Sequence, residues 1–241
     1  MESAELQTKA RYEKRWQKAI ATGVEQAGNL ELNLAFLEET GLLAPNKTML
    51  ELGCGLGKLT NALHQKGLNI TGSDISQTAV DYAAGTYPDI PWRVLGAENL
   101  PFEDGCFDLV LSFDVLEHLH NVDSHLNEVR RVLKPNGSYL LQTPNKLTNI
   151  IFETLKQRSL YWRTYHPSLH SYRGLRRRLM RHGFVPQFLK MNTMNAYTLR
   201  KLQKIGLPKA AFGWIDFRRL PVRMQTNFYV VAEKLPERSP G

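Results

Sequence analysis

Met49-Leu50-Glu51-Leu52-Gly53-Cys54-Gly55-Leu56-Gly57-Lys58-Leu59 is the stretch on which the fold turns. It reads as the end of a buried strand, a glycine turn and the first turn of a helix over Lys58 to Gln65. Glycines at 53, 55 and 57 let the backbone turn tightly and let a ligand approach where a Cβ would collide. The helix start offers free N–H groups and a positive dipole end to an anionic group. The Gly-x-Gly-x-Gly spacing is one residue short, at its last step, of the dinucleotide fingerprint. Glu51, just before the first glycine, repels a pyrophosphate and suits a ligand carrying an ammonium and a sulfonium.

Working outward, Asn69–Asp74 forms a second strand and puts an acid 23 positions after Glu51. That distance suits bidentate hydrogen bonding to two ribose hydroxyls. Ser76 is placed to cap a helix over Gln77–Ala84. Pro91–Leu95 is a weaker third strand, and Leu109–Phe113 a fourth, apolar on both faces as a doubly covered strand should be. A helix over Asp123–Leu133 is closed by Pro135-Asn136-Gly137, and Ser138–Gln142 is strand five. An amphipathic helix follows around Leu175, Leu179 and Met180, with Gly183 at its end. Phe184–Lys190 and Thr226–Glu233 are strands six and seven. Strands alternating with helices imply βαβ units and a parallel sheet. The first 45 residues read as helices, with Leu30, Leu34 and Leu37 at helical spacing.

Further motifs follow in order: Gly96-Ala97-Glu98-Asn99-Leu100-Pro101-Phe102, Phe107-Asp108-Leu109-Val110, Asp114-Val115-Leu116-Glu117-His118 and Arg131-Val132-Leu133-Lys134-Pro135-Asn136-Gly137. With the glycine turn and Asp74 these resemble the class I S-adenosylmethionine-dependent methyltransferases, in the type 11 branch that contains the quinone-biosynthesis enzymes. The likeness is close over about 45–145 and weaker to about 190. It implies an α/β, Rossmann-like, doubly wound seven-stranded sheet, mostly parallel with an antiparallel last strand and helices on both faces. It also implies S-adenosyl-L-methionine as cofactor. By the same resemblance Glu51, Gly53, Cys54, Gly55 and Gly57 lie at the methionine end. Asp74 holds the ribose, Ile75 lies against the adenine, Ala97, Glu98 and Asn99 stand at the adenine edge, and Ser112 and Phe113 close the floor. Many relatives carry an Asp where this chain has Gly96, which accepts from the adenine amine; here Glu98 or a backbone carbonyl is left to do so.

His118 has two readings, general base for a phenolic or enolic hydroxyl or structural bond within its loop. Glu117 reads as a first-turn helix acid. Tyr12 and Trp16 line a lid over the cleft or pack on the domain. Asn145, His166 and His170 complete the acceptor-side candidates. His166 and His170 are four apart, but Pro167 intervenes and no third ligand is in view, so no metal is expected. Cys54 and Cys106 give no disulfide framework.

Length and composition suit one domain: a helical cap over 1–45, a cofactor core over 46–145, a substrate-side region with an insertion over 146–225, a last strand over 226–234 and a tail over 235–241. The formal net charge of +8 hides a division. Residues 1–145 hold 12 Lys/Arg against 19 Asp/Glu, whereas 146–241 hold 19 against 4. The basic half points to an anionic partner, either a membrane surface or RNA. With no apolar run of membrane-spanning length and no signal-peptide core, the expected location is cytoplasmic, with peripheral membrane contact open to it. The expected reaction is methyl transfer to an oxygen or carbon of a small acceptor, amphipathic or quinone- or phenol-like. The rivals are a tRNA-modifying methyltransferase, suggested by Tyr161, Trp162, Arg163 and Tyr165, and a non-catalytic partner-binding subunit built on a cofactor fold. The glycine spacing and Glu51 weigh against a dinucleotide oxidoreductase.

Overall fold

The computed structural model describes residues 2–23, 29–150, 166–192 and 216–236. The aromatic segment 161–165 and most of the insertion lie outside these, as does the end of the tail. Seven strands form one sheet: β1 Thr48–Leu52, β2 Asn69–Asp74, β3 Trp92–Val94, β4 Phe107–Phe113, β5 Leu133–Pro144, β6 Phe184–Leu189 and β7 Asn227–Lys234. Their order is β3-β2-β1-β4-β5-β7-β6. β1 pairs in parallel with β2 and β4, β2 with β3, and β4 with β5. β7 runs antiparallel to both its neighbours, β5 and β6. The parallel pairs are those that the strand–helix alternation implied, and the whole is the doubly wound sheet with an antiparallel last strand that the family resemblance implied.

The α-helices with both ends among the described residues are α1 Glu2–Ala21, α2 Leu30–Glu39, α3 Lys58–His64, α4 Gln77–Thr86, α5 Val122–Val132 and α6 Tyr172–Arg181. Alternation along the strands fills both faces of the sheet. Leu50, Val110, Tyr139 and Leu141 pack with Leu126 and Val129 of α5 and with Leu175 and Leu179 of α6. Met49, Leu109, Leu111 and Leu140 face the other way, onto Phe36 and Leu37 of α2 and Leu59 and Leu63 of α3. α1 joins Trp16 and Ala19 to Leu56 and to Ala79 of α4. No described helix is long and apolar enough to cross a membrane.

Two local expectations are corrected. Pro135-Asn136-Gly137 does not separate helix from strand. α5 stops at Val132, Leu133 pairs at once with Phe107, and the next pair is Leu109 with Ser138, so 134–137 bulge out. Proline cannot donate to the ladder, and Asn136 takes the left-handed φ of 62° that a bulge of this kind uses. At the same irregularity Phe107 and Leu109, two apart on β4, fall in different core clusters. Secondly, Asp114–His118 does not open a helix. Asp114 has φ 55° at the tip of β4, Leu116–His118 is a single 3-10 turn, and α5 begins only after Asn121, whose side chain accepts from Ser124 N.

The sheet's carboxyl edge is where β1, β2 and β4 end together, and α1 lies across it. Glu13 fixes α1 there. Its carboxylate accepts from Ser76 Oγ at 2.9 Å, Gln77 N at 2.6 Å and Thr78 N at 3.1 Å, the first turn of α4. An acid from one helix thus satisfies orphan N–H groups of another.

Candidate functional site

The glycine turn is shaped for close approach. Gly55 has φ 53°, and a Cβ there would meet the Trp16 ring at 2.8 Å. Gly57, at φ 79°, precedes α3 as its cap, and its missing Cβ leaves room for Trp92 and Ala83. Gly53 likewise gives room to Val115. Cys54 N donates to Ser73 O at 2.8 Å, and burial pushes its thiol well above the ordinary range, so Cys54 is packing rather than a nucleophile.

Two buried acids flank the turn. Glu51 is 3% exposed and accepts from the Thr60 hydroxyl on α3. Burial, helped by the nearby Asp74 charge, pushes its carboxyl up to about 7 despite that bond. Asp74 ends β2, its two oxygens accepting at 2.9 Å each from Gly55 N and Ser76 N. Burial raises its carboxyl as well, while those bonds and the Arg15 charge pull it down. Above them sits Trp16, 8% exposed, whose indole N–H finds no partner among the described residues. Acceptors that burial disfavours when charged, beside an orphan donor, fit a ligand with an ammonium, hydroxyls and a carboxylate.

A cavity of about 380 Å³ opens beside Ile75, between it, Val94, Leu95 and Gly96 on the sheet side and Glu5, Leu6 and Lys9 of α1. Its apolar walls suit a flat ring. Glu98 does not point its carboxylate there as expected: Oε1 accepts from His120 N and Asn121 N at 2.9 and 3.0 Å, holding the loop before α5. Ala97 O meets His125 Nδ1 at 2.7 Å, and His125 Nε2 meets Tyr139 Oη at 2.8 Å. A carbonyl only accepts, so Nδ1 carries the proton, Tyr139 donates to Nε2, and Ser112 Oγ donates to Tyr139. Burial pushes the His125 imidazole down to about 4, keeping it neutral. Ser112 therefore belongs to a relay inside the sheet and not to the cleft floor. Phe113 is buried edge-on against Phe36 of α2, and Asn99 is exposed.

At the tip of β4, Glu117 lies in the 3-10 turn and not in the first turn of an α-helix. It is 1% exposed, its carboxylate accepts from Thr143 Oγ1 at 3.0 Å, and burial raises it well above the carboxylate range. Its neighbour His118 stands between two rings, Tyr12 of α1 at 5.7 Å and His166 at 5.0 Å between centroids. Its Nε2 lies 3.9 Å from Glu117 Oε1. Three segments distant in sequence thus meet around one imidazole, with Arg11 and Arg15 against the Tyr12 ring.

Asn145 and His170 go elsewhere. The Asn145 amide donates to Arg223 O and Gln225 O at 3.0 and 2.8 Å and accepts from Leu147 N at 3.1 Å, tying β5 to the chain before β7. His170 Nε2 accepts from Arg178 at 3.3 Å, and burial pushes its imidazole down to about 4. Residues 166–171 are not helical, so His166 and His170 do not share a face. On α6, Arg178 also pairs with Asp123 at 3.4 Å, whereas Arg173, Arg176, Arg177 and Arg181 are exposed.

Of the residues singled out from the sequence, Glu51, Asp74 and the glycines lie together at the turn after β1, and His118 stands at the tip of β4. Sequence reading missed Glu13, Thr60, His125 and the burial of Glu117, because each acts through a partner on another element.

Residues 50–141 match the family described as a methyltransferase domain. Among curated proteins, the chain is 32% identical over 102 residues to a probable S-adenosylmethionine-dependent methyltransferase of Mycolicibacterium smegmatis, covering 42% of this chain and 40% of that one. It is 33% identical over 105 residues to a ubiquinone biosynthesis O-methyltransferase of Bartonella tribocorum, covering 42% of each. The chain therefore spans about two fifths of the length of these relatives. Among solved structures, a methyltransferase of Haloferax volcanii in complex with the activator Trm112 superposes with TM-score 0.67, at 18% identity, over 93% of this chain and 98% of that one. That likeness is one of fold.

Proposed function

We propose that this chain, whose residues 50–141 match the methyltransferase-domain family and resemble S-adenosylmethionine-dependent methyltransferases, moves a methyl group to an oxygen or carbon of a small quinone- or phenol-like acceptor. When bound, S-adenosylmethionine supplies an activated methyl on a sulfonium. The chain then has to position and desolvate the reactants. Glu51 takes the ammonium, Asp74 the ribose hydroxyls, Trp16 Nε1 a carboxylate oxygen, and Ile75 one face of the adenine. α1, pinned by Glu13, excludes water. His118 accepts the proton of the acceptor hydroxyl at Nε2, while Tyr12 and His166 hold the ring and wall the acceptor. The observation that carries this reading is the meeting of Tyr12, His118 and His166 at the β4 tip, beside the Glu51–Asp74 pair. A methyl-transfer screen over quinone precursors, other phenolics and total tRNA tests it. Transfer to a phenolic hydroxyl is expected; transfer to tRNA alone would overturn the acceptor assignment.

Cofactor affinity should depend on pH through Glu51. Its folded pKa, about 7, lies above the ordinary carboxylate value. This group's contribution to stability is therefore complete below the unfolded pKa and is lost as pH rises through 7. A ligand ammonium favours the ionised form, so S-adenosylhomocysteine should bind roughly tenfold more tightly at pH 7.5 than at pH 6. Calorimetry at the two values, repeated on Glu51→Gln, checks this. A wild-type affinity independent of pH, or a dependence that Glu51→Gln keeps, would contradict it.

The exposed face of α6, with Arg173, Arg176, Arg177 and Arg181 around half-exposed Met180, suits an anionic membrane surface to which an amphipathic acceptor would partition. Cosedimentation with phosphatidylglycerol vesicles should be strong at low salt and weak at moderate salt. Equal and negligible binding at both would leave this a solvated face, and a signal with RNA alone would favour the tRNA reading.

A further inference from the structure

We propose that Glu5, on the first turns of α1, accepts the exocyclic amine of the cofactor's adenine and so makes the lid helix part of base recognition. The inference rests on the cofactor reading above. The cavity of about 380 Å³ is walled by Ile75, Val94 and Leu95, floored by Gly96 and roofed by Glu5, Leu6 and Lys9. Apolar walls can hold the faces of a purine but offer its amine no acceptor, and a buried unmatched donor is costly. Among the lining side chains, Glu5 is the acceptor: Lys9 can only donate, and the others are apolar or absent.

The geometry at Gly96 makes the assignment specific. A Cβ built on Gly96 would collide with Glu5 Oε1, would lie 3.5 Å from Glu5 Cδ, and would meet nothing else within 4 Å. The Glu5 carboxylate therefore occupies the space into which a side chain at position 96 would grow. A carboxylate delivered from α1 stands where the sheet-side loop, lacking a side chain, supplies none. Gly96 is not held at positive φ, so once Glu5 is shortened an aspartate can be accepted there.

Calorimetry with two ligands tests this: S-adenosylhomocysteine and its analogue with an amine-free purine. The wild-type chain should prefer the amine-bearing ligand by about tenfold or more, the range of one charge-assisted hydrogen bond. Glu5→Ala should remove that preference by weakening the amine-bearing ligand alone. Glu5→Ala combined with Gly96→Asp should restore it, because the acid returns from the other side of the same space. A preference unchanged in Glu5→Ala would overturn the proposal and leave Glu5 as an exposed acid of α1. Equal weakening of both ligands would overturn it too, since Glu5 would then merely seat the lid. Failure of the wild-type chain to bind either ligand would instead remove the cofactor reading itself.

Discussion

Replacing Asp74 by alanine is expected to weaken S-adenosylhomocysteine binding at least a hundredfold. Each hydrogen bond from a ribose hydroxyl to an ionised carboxylate is worth about 1.5–3 kcal/mol, and two are lost. A second effect adds to the first. The same carboxylate accepts from Gly55 N and Ser76 N, so its removal leaves two backbone donors unmatched and loosens the glycine turn. Asp74→Asn keeps the shape but turns one acceptor into a donor, so it must face a backbone N–H with an NH₂. It should therefore lose nearly as much affinity. A melting temperature taken on each variant separates loosening from lost contact. Affinity within twofold of wild type for Asp74→Ala would remove Asp74 from the ribose site.

His118→Ala should reduce turnover by about 10²–10⁴, the usual share of a general base, while leaving cofactor affinity within a fewfold. The proton of a phenolic hydroxyl must leave as the methyl arrives. An imidazole accepts it only when unprotonated. Wild-type kcat/KM should therefore fall toward acid pH, and the variant should lose that limb. The competing role is also concrete. His118 N donates to Val115 O at 2.9 Å, and the ring packs against Tyr12 and His166. If packing is its whole task, His118→Ala will lower the melting temperature and His118→Phe will recover activity. Recovery by phenylalanine would exclude the base.

What the sequence disclosed and what it concealed follow from the range of each interaction. The glycine turn, the Ser76 cap and the apolar run of β4 are local: spacing and residue type within a dozen positions specify them, and the structure has them where the pattern put them, with Asp74 at the end of the next strand. The bulge at 134–137 was concealed because Pro-Asn-Gly ends a helix and bulges a strand with equal ease; only pairing with Phe107 decides. Glu117 read as a first-turn helix acid, and its burial was concealed because burial of a carboxylate has no local signature. Arg131 illustrates the same limit within a recognisable motif. Its guanidinium binds Glu128 and Asp104 and the carbonyls of Leu100 and Phe102, so that motif holds together the loop that carries Gly96 and Glu98. Likewise the placement of Asn145 in the frame, and of His118 against Tyr12 and His166, depends on segments more than 40 residues apart.

The measurement closest to the central claim is titration of the wild-type chain, at pH 7.5, with S-adenosylhomocysteine and separately with NAD. One site per chain for S-adenosylhomocysteine, and no heat with NAD, is the predicted result. Binding of NAD with none of S-adenosylhomocysteine would contradict the assignment of Glu51, Asp74 and the glycine turn to a methyl donor.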